Sequence, residues 1–139
     1  MVIMSVDLGA ARTGFAETDS GEQFAFPRGI VNEYNREKLY SKIIEKAKEN
    51  KAELIVLGLP KNMDGTLGFK AQESIDAKAQ LEKLCDIPIE LWDERCATVS
   101  AHNSLHQNGI KAKNRKNIVD SVAATIILED FLRFRNSGK

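Results

Sequence analysis

The chain has 139 residues, of which 42% are hydrophobic and 29% charged, and its formal net charge is zero. This length predicts one domain spanning residues 1–139, and the balanced charge excludes a strongly basic protein, so a nucleic-acid site would have to be a local patch. No apolar run reaches the roughly 18 residues that a membrane span needs, and only two cysteines, Cys85 and Cys96, occur. We therefore predict no membrane partner and a reduced, cytoplasmic setting.

The first part of the chain predicts three strands in a row. The connections between them are short, and the second is the polar turn Asp19-Ser20-Gly21-Glu22. Short connections join antiparallel strands. The predicted strands are Val2–Asp7, Thr13–Thr18 and Phe24–Val31.

The rest of the chain predicts helices that alternate with buried strands. Apolar residues at helical spacing indicate the helices, and the continuous run LIVL is typical of a buried parallel strand. A loop rich in turn residues, Leu59–Gly68, interrupts this part, and a frayed tail follows Arg135. In order, we predict a helix at Arg36–Asn50, a strand at Glu53–Gly58, a helix at Phe69–Leu84, a strand at Ile87–Trp92, and helices at Ala97–Gln107 and Arg115–Phe134.

This order of elements predicts an α/β fold. Right-handed crossovers place the fourth and fifth strands beside the first and parallel to it, while the first three strands are antiparallel. The result is a five-stranded mixed sheet with helices on both faces, a layout that resembles the ribonuclease-H-like fold.

Three acidic residues mark a candidate site. Asp7 closes the first strand, Glu94 follows the fifth, and Asp120 lies near the start of the last predicted helix. Ligands in α/β sheets bind at the carboxyl ends of the strands, so these carboxylates are expected to converge. A divalent cation relieves the repulsion among converging carboxylates, which predicts one or two Mg²⁺ or Mn²⁺ ions. Successive side chains of a strand point to opposite faces, so only one of Asp93 and Glu94 is expected to face the site. We favour Glu94 as the ligand, and Asp93 is the alternative.

The basic residues nearest this site predict where a phosphate backbone would lie. Arg12 is in the turn after the first strand, and the densest basic run precedes the last predicted helix as a loop. Phosphate contacts of this kind position a nucleic acid, whereas a solvated loop is the alternative. The residues of the run are Lys111, Lys113, Arg115 and Lys116.

Four segments together resemble the YqgF/RuvX family, which is also described as Holliday-junction-resolvase-like. They occur in the family's order, over almost the whole chain, as DLGAARTG, GLPKNMDGT, DERCAT and VDSVAATIILEDFL. The resemblance implies a ribonuclease-H-like fold and metal-dependent phosphodiester cleavage, and it aligns the family's acidic positions with Asp7, Glu94 and Asp120.

The resemblance also implies a substrate. The role proposed for the family is maturation of the 5′ end of pre-16S ribosomal RNA, and junction resolution is the older suggestion. We therefore expect a hydrolase acting on ester bonds of structured RNA or branched DNA, as a monomer or a homodimer.

Two other hypotheses come from different functional classes. A noncatalytic nucleic-acid-binding domain with the same fold would need cations rather than three acids. A small phosphotransferase or ATP-binding protein is suggested by the glycine turn after Asp7, which is similar to the Asp-x-Gly turn of actin-type ATPases, but those proteins close two domains around the nucleotide.

Overall fold

The computed structural model describes residues 1–60, 68–93 and 112–137, without the side chains of residues 112–121 and 136–137. Five strands and three helices occupy these ranges. The strands are β1 (Ile3–Asp7), β2 (Arg12–Thr18), β3 (Ala25–Asn32), β4 (Leu54–Leu59) and β5 (Ile89–Asp93), and the helices are α1 (Arg36–Glu49), α2 (Phe69–Leu84) and α3 (Ala112–Ser137).

The strands form one mixed sheet in the order β3-β2-β1-β4-β5. β1 is antiparallel to β2 and parallel to β4, β2 is antiparallel to β3, and β4 is parallel to β5. The predicted topology, with the first strand central, is confirmed. Its consequence for function is that β1, β4 and β5 end at the same edge of the sheet.

Helices cover both faces of the sheet. On one face, α1 and α2 bury their apolar residues against Met4, Val6 and Phe15. On the other, α3 buries Ala124, Ile127 and other apolar residues against Ile3 and Val56. The two faces of β1 therefore carry different helices, because successive strand side chains point to opposite sides.

Several element boundaries differ from those predicted. The fifth strand begins at Ile89 rather than Ile87, although Ile87 still packs against the core of the α1/α2 face. The last helix begins at Ala112 rather than Arg115 and continues to Ser137, beyond the predicted frayed point at Arg135. The predicted helix Ala97–Gln107 lies outside the described residues.

No described helix is long and apolar enough to cross a membrane.

Candidate active site

Asp7 is the last residue of the central strand and is half-buried. Its place on the sheet follows from its neighbours in β1. Ile3 packs against α3, and the hydroxyl of Ser5 donates a hydrogen bond to a carbonyl of that helix, whereas Met4 and Val6 pack on the opposite face. Alternation along the strand therefore assigns Asp7 to the face that α3 covers.

The hydrogen bond from Ser5 fixes β1 against α3. Its Oγ lies 2.6 Å from the carbonyl oxygen of Ala124, and Ser5 is fully buried. Asp7 lies two residues after Ser5, and Asp120 lies one helical turn before Ala124. This contact brings the backbone segments that carry the two aspartates to neighbouring positions.

The other end of α3 shows in which direction the helix runs. The Arg135 guanidinium lies 2.7 Å from the Glu22 carboxylate, which also pairs with the Met1 ammonium at 3.2 Å. Because Arg135 lies toward the start of β1, the earlier turns of α3 extend toward Asp7. Burial raises the pKa of Glu22, but hydrogen bonds from Met1 and Arg135 and the attraction of both cations outweigh it, so the pKa lies below its ordinary value.

The structure corrects the interpretation of Asp120 as a residue near the start of its helix. Since α3 begins at Ala112, Asp120 is in the third turn, beyond the first turn in which an aspartate complements the helix dipole. Asp120 is therefore not a first-turn aspartate that complements the helix dipole. The side chain of Asp120 lies outside the described part of the chain.

The alternation in β5 separates Asp93 from Asp7. Ile89 and Leu91 pack against the α1/α2 core, so Asp93 falls on that face as well. Trp92 takes the other face, where its ring contacts Phe131 and its Nε1 donates to the Asp130 carboxylate at 3.0 Å. Asp93 is therefore the weaker candidate, and Glu94 lies outside the described residues.

A turn held by several hydrogen bonds follows Asp7. The Arg36 guanidinium donates to the carbonyl oxygens of Ala10 at 2.7 Å and Gly9 at 3.3 Å, and the Glu33 amide donates to the Ala11 carbonyl at 2.9 Å. A Cβ at Gly9 would overlap the carbonyl oxygen of Arg12, so only glycine fits this turn without movement. These contacts hold in place the turn that follows the carboxyl end of β1.

An open cleft lies beside this turn, with a volume of about 680 Å³. Arg12, predicted to contact nucleic acid, is one of its lining residues. The sequence did not single out two others, Tyr34 and Lys70, because the cleft joins segments that are distant in the chain. The full lining is Gly9, Ala10, Ala11, Arg12, Asn32, Tyr34 and Lys70.

The predicted basic loop is largely helical. Lys113, Arg115 and Lys116 lie in the first turns of α3, whereas Lys111 lies outside the described residues. The structure extends the helix from its predicted start at Arg115 back to Ala112, so Lys113 is helical rather than in a loop; alanine and lysine favour helix even without an apolar stripe. These three basic residues therefore lie in the same helix as Asp120.

No group of three metal-binding side chains occurs among those that the structure describes. Glu94 and the Asp120 side chain are outside that set, so the predicted triad of Asp7, Glu94 and Asp120 stays a prediction. Within the described part, Asp7 supplies one carboxylate at the common edge of β1, β4 and β5.

The hydrogen bond from Ser5 to the Ala124 carbonyl leads to a testable prediction about the site. Replacing Ser5 with alanine should lower the free energy of unfolding by about 0.5–1.5 kcal/mol, the usual contribution of one hydrogen bond. It should also reduce any cleavage activity, because it releases β1 from α3 beside both aspartates. Chemical denaturation and initial cleavage rates measure the two effects.

Thr18 provides the matched control. Its Oγ1 accepts from the Ile3 amide at 2.9 Å, at the opposite end of β1. Thr18→Val should therefore destabilise the fold comparably and leave the rate per folded molecule unchanged. Equal rate losses in both variants would mean that Ser5 acts only through global stability.

Comparison with known proteins places the chain in a family. The family model described as "RuvX: Holliday junction resolvase" matches residues 1–134. The chain belongs to the RuvX family. Curated members from Maridesulfovibrio salexigens and Syntrophomonas wolfei, both named "Putative pre-16S rRNA nuclease", are 36% and 37% identical to it. These matches cover 95% and 100% of this chain and 98% and 99% of those proteins.

The fold of this RuvX-family chain also resembles that of a solved resolvase. It matches Thermus thermophilus RuvC in complex with Holliday junction substrate with a TM-score of 0.64 at 12% identity, over 97% of this chain and 96% of the other. At this identity the likeness shows the fold alone. The predicted ribonuclease-H-like architecture is confirmed.

Proposed function

We propose that this chain is a metal-dependent nuclease that hydrolyses phosphodiester bonds of structured RNA, with maturation of the 5′ end of pre-16S ribosomal RNA as its role. The observation that carries the proposal is the position of Asp7. It ends the central strand on the face covered by α3, and the Ser5–Ala124 bond holds that strand one helical turn from Asp120. The names of its relatives supply the substrate.

The donor set fits a hard divalent cation. Carboxylate oxygens are the ligands that Mg²⁺ and Mn²⁺ prefer, and Asp7, Glu94 and Asp120 are the residues that would hold one or two ions. When bound, such an ion lowers the pKa of water and stabilises charge on phosphate oxygens. Alternation in β5 supports Glu94 over Asp93 in this set, because Asp93 falls on the face opposite Asp7.

The chain's own residues would position the substrate. Arg12 begins β2 opposite Asn32 and lines the cleft beside the Asp7 turn. Lys113, Arg115 and Lys116 lie in the same helix as Asp120. These basic residues would guide the phosphate backbone across the carboxyl edge of the sheet.

A Holliday junction resolvase is the second candidate. It is favoured by the description of the family model and by the fold shared with a resolvase. A cleavage assay separates the candidates. The protein is incubated with a pre-16S RNA fragment, a four-way DNA junction and a linear duplex, with Mg²⁺, with Mn²⁺, or with a chelator.

We expect metal-dependent cleavage of the RNA precursor above that of the other two substrates. Preference for the junction would replace ribosomal RNA maturation with resolution. Binding without cleavage under every metal condition would support a noncatalytic nucleic-acid-binding domain.

The basic turns of α3 give a prediction of their own. Replacing Lys113, Arg115 and Lys116 with alanine should weaken RNA binding and flatten its dependence on salt. Each lost phosphate contact should reduce the slope of log affinity against log salt by about 0.7–0.9. Binding titrations at several salt concentrations measure that slope.

Three lysines elsewhere provide a charge-matched control. Lys48, Lys51 and Lys83 are exposed near the edge at which the parallel strands begin. Their replacement removes the same charge but should leave the slope nearly unchanged. Equal flattening in both triple variants would assign the effect to net charge rather than to contacts made by α3.

A further inference from the structure

We propose that the cleft beside the turn after Asp7 binds an unpaired nucleotide, whose base stacks on Tyr34 and whose flanking phosphates contact Arg12 and Lys70. The inference rests on the proposed function, because the ligand is a nucleic acid, and it deepens that function by naming a substrate class. The substrate would be RNA with an unpaired segment at the cleavage site rather than a continuous duplex.

The exposure of Tyr34 is the first observation. This ring is 78% exposed although it lies between two well-fixed segments. The Glu33 amide donates to Ala11, the Asn35 amide donates to the Glu33 carboxylate at 3.2 Å, and the Arg36 guanidinium contacts the Tyr34 carbonyl at 3.3 Å. A fixed backbone beneath an exposed ring gives a stacking surface that needs little ordering when a base binds.

The charge of the cleft is the second observation. Arg12 and Lys70 both line it, and no acidic side chain does so among the described residues. Glu33, between the lining residues Asn32 and Tyr34 in the chain, is ion-paired with Lys42 at 2.9 Å, and this hydrogen bond lowers the pKa of the carboxylate. The cleft therefore presents two basic side chains, and its described lining contains no acidic residue.

The size and position of the cleft complete the argument. A volume of about 680 Å³ is in the range of small-molecule sites and admits one nucleotide. Gly9, two residues after Asp7, is part of its wall. A base on Tyr34 would therefore place the adjoining backbone beside the carboxyl end of β1. Aromatic stacking together with a basic groove is the usual basis for recognition of single strands.

The test is a binding assay in the presence of a chelator, so that cleavage does not enter. The probes are a labelled RNA duplex with a single-stranded 5′ extension and the same duplex with a blunt end. Tyr34→Ala should weaken binding of the extended RNA by about fivefold to a hundredfold, the range for one lost base stack, and leave the blunt duplex unchanged. Tyr34→Phe should bind as the original protein does, because it keeps the ring.

Two further variants separate stacking from general effects. Phe24 is an exposed aromatic residue at the opposite end of the sheet, 61% exposed, and Phe24→Ala should bind both RNAs normally. Lys70→Ala should flatten the salt dependence for the extended RNA by about 0.7 in slope. An extension that lacks bases should bind the original protein as weakly as the normal extension binds Tyr34→Ala.

The outcomes distinguish this proposal from the proposed function. Unchanged binding by Tyr34→Ala, or an equal loss with Phe24→Ala or on the blunt duplex, overturns the stacking site, even if the protein cleaves RNA in an Asp7-dependent manner. A selective loss on the extended RNA supports it, even if no RNA is cleaved when metal is restored.

Discussion

Replacing Asp7 with asparagine should reduce metal-dependent cleavage by about a thousandfold or more. The change removes a charged ligand, and charge stabilisation by a bound metal contributes several kcal/mol to phosphoryl chemistry. The fold should be as stable as before, or slightly more so, because repulsion between Asp7 and the other predicted carboxylates is relieved. Single-turnover cleavage and thermal unfolding, each with and without Mg²⁺ or Mn²⁺, measure these effects.

Metal should separate the original protein from the variant in the same experiment. A ligand at a hundred times its Kd stabilises the native state by about 2.7 kcal/mol, so Mg²⁺ or Mn²⁺ should raise the Tm of the original protein and not that of Asp7→Asn. Asp86 precedes β5 at the opposite edge, so Asp86→Asn should keep both the activity and the metal response. If Asp7→Asn unfolds more easily and metal affects neither form, Asp7 has a structural role instead.

Replacing Gly9 with alanine should have the largest effect on the shape of the site. The added Cβ overlaps the backbone carbonyl of Arg12, which cannot turn aside as a side chain can. The turn cannot shift freely either, since Arg36 and Glu33 hold its carbonyl groups. We expect a loss of about 1–3 kcal/mol in the free energy of unfolding. Cleavage should fall about a hundredfold, the cost of misplacing a reacting group by about 1 Å.

Gly21 provides the control for this substitution. A Cβ there would lie 3.2 Å from Oδ2 of Asp19, a side-chain contact less severe than the backbone overlap at Gly9, while Oδ1 accepts from the Gln23 and Phe24 amides. Gly21→Ala should therefore change stability by less than about 1 kcal/mol and leave the cleavage rate unchanged. Denaturation midpoints and initial rates compare the two variants directly. Normal stability and activity in Gly9→Ala would show that the turn adapts and does not set the position of Asp7.

The sheet topology was predictable because its signals are local. Short connections, the buried run in β4 and right-handed crossovers together specify which strands are neighbours. The start of β5 at Ile89 and the start of α3 at Ala112 were not predictable, because both boundaries were inferred from the positions of apolar residues. Ile87 is half-buried against the core without joining the strand, and the first turns of α3 are helical without apolar periodicity.

The candidate site was predictable only in part for a related reason. Asp7 has a clear sequence signal, because it ends an apolar strand before a glycine turn. Tyr34 has a weak one, as a single aromatic residue in a polar segment. Its significance depends on the pairing of β2 with β3, which places Asn32 opposite Arg12, and on the start of α2, which adds Lys70. Long-range contacts of this kind leave no periodic pattern in a sequence.

The bond between Ser5 and Ala124 joins residues that are 119 positions apart. During synthesis, β1 leaves the ribosome long before α3 exists, and loop closure over such a separation is slow. The face of the sheet that α3 packs against therefore stays uncovered until the last helix has been synthesised. The backbone segments that carry Asp7 and Asp120 are brought together only after nearly the whole chain has been made, so a growing chain would lack the proposed site.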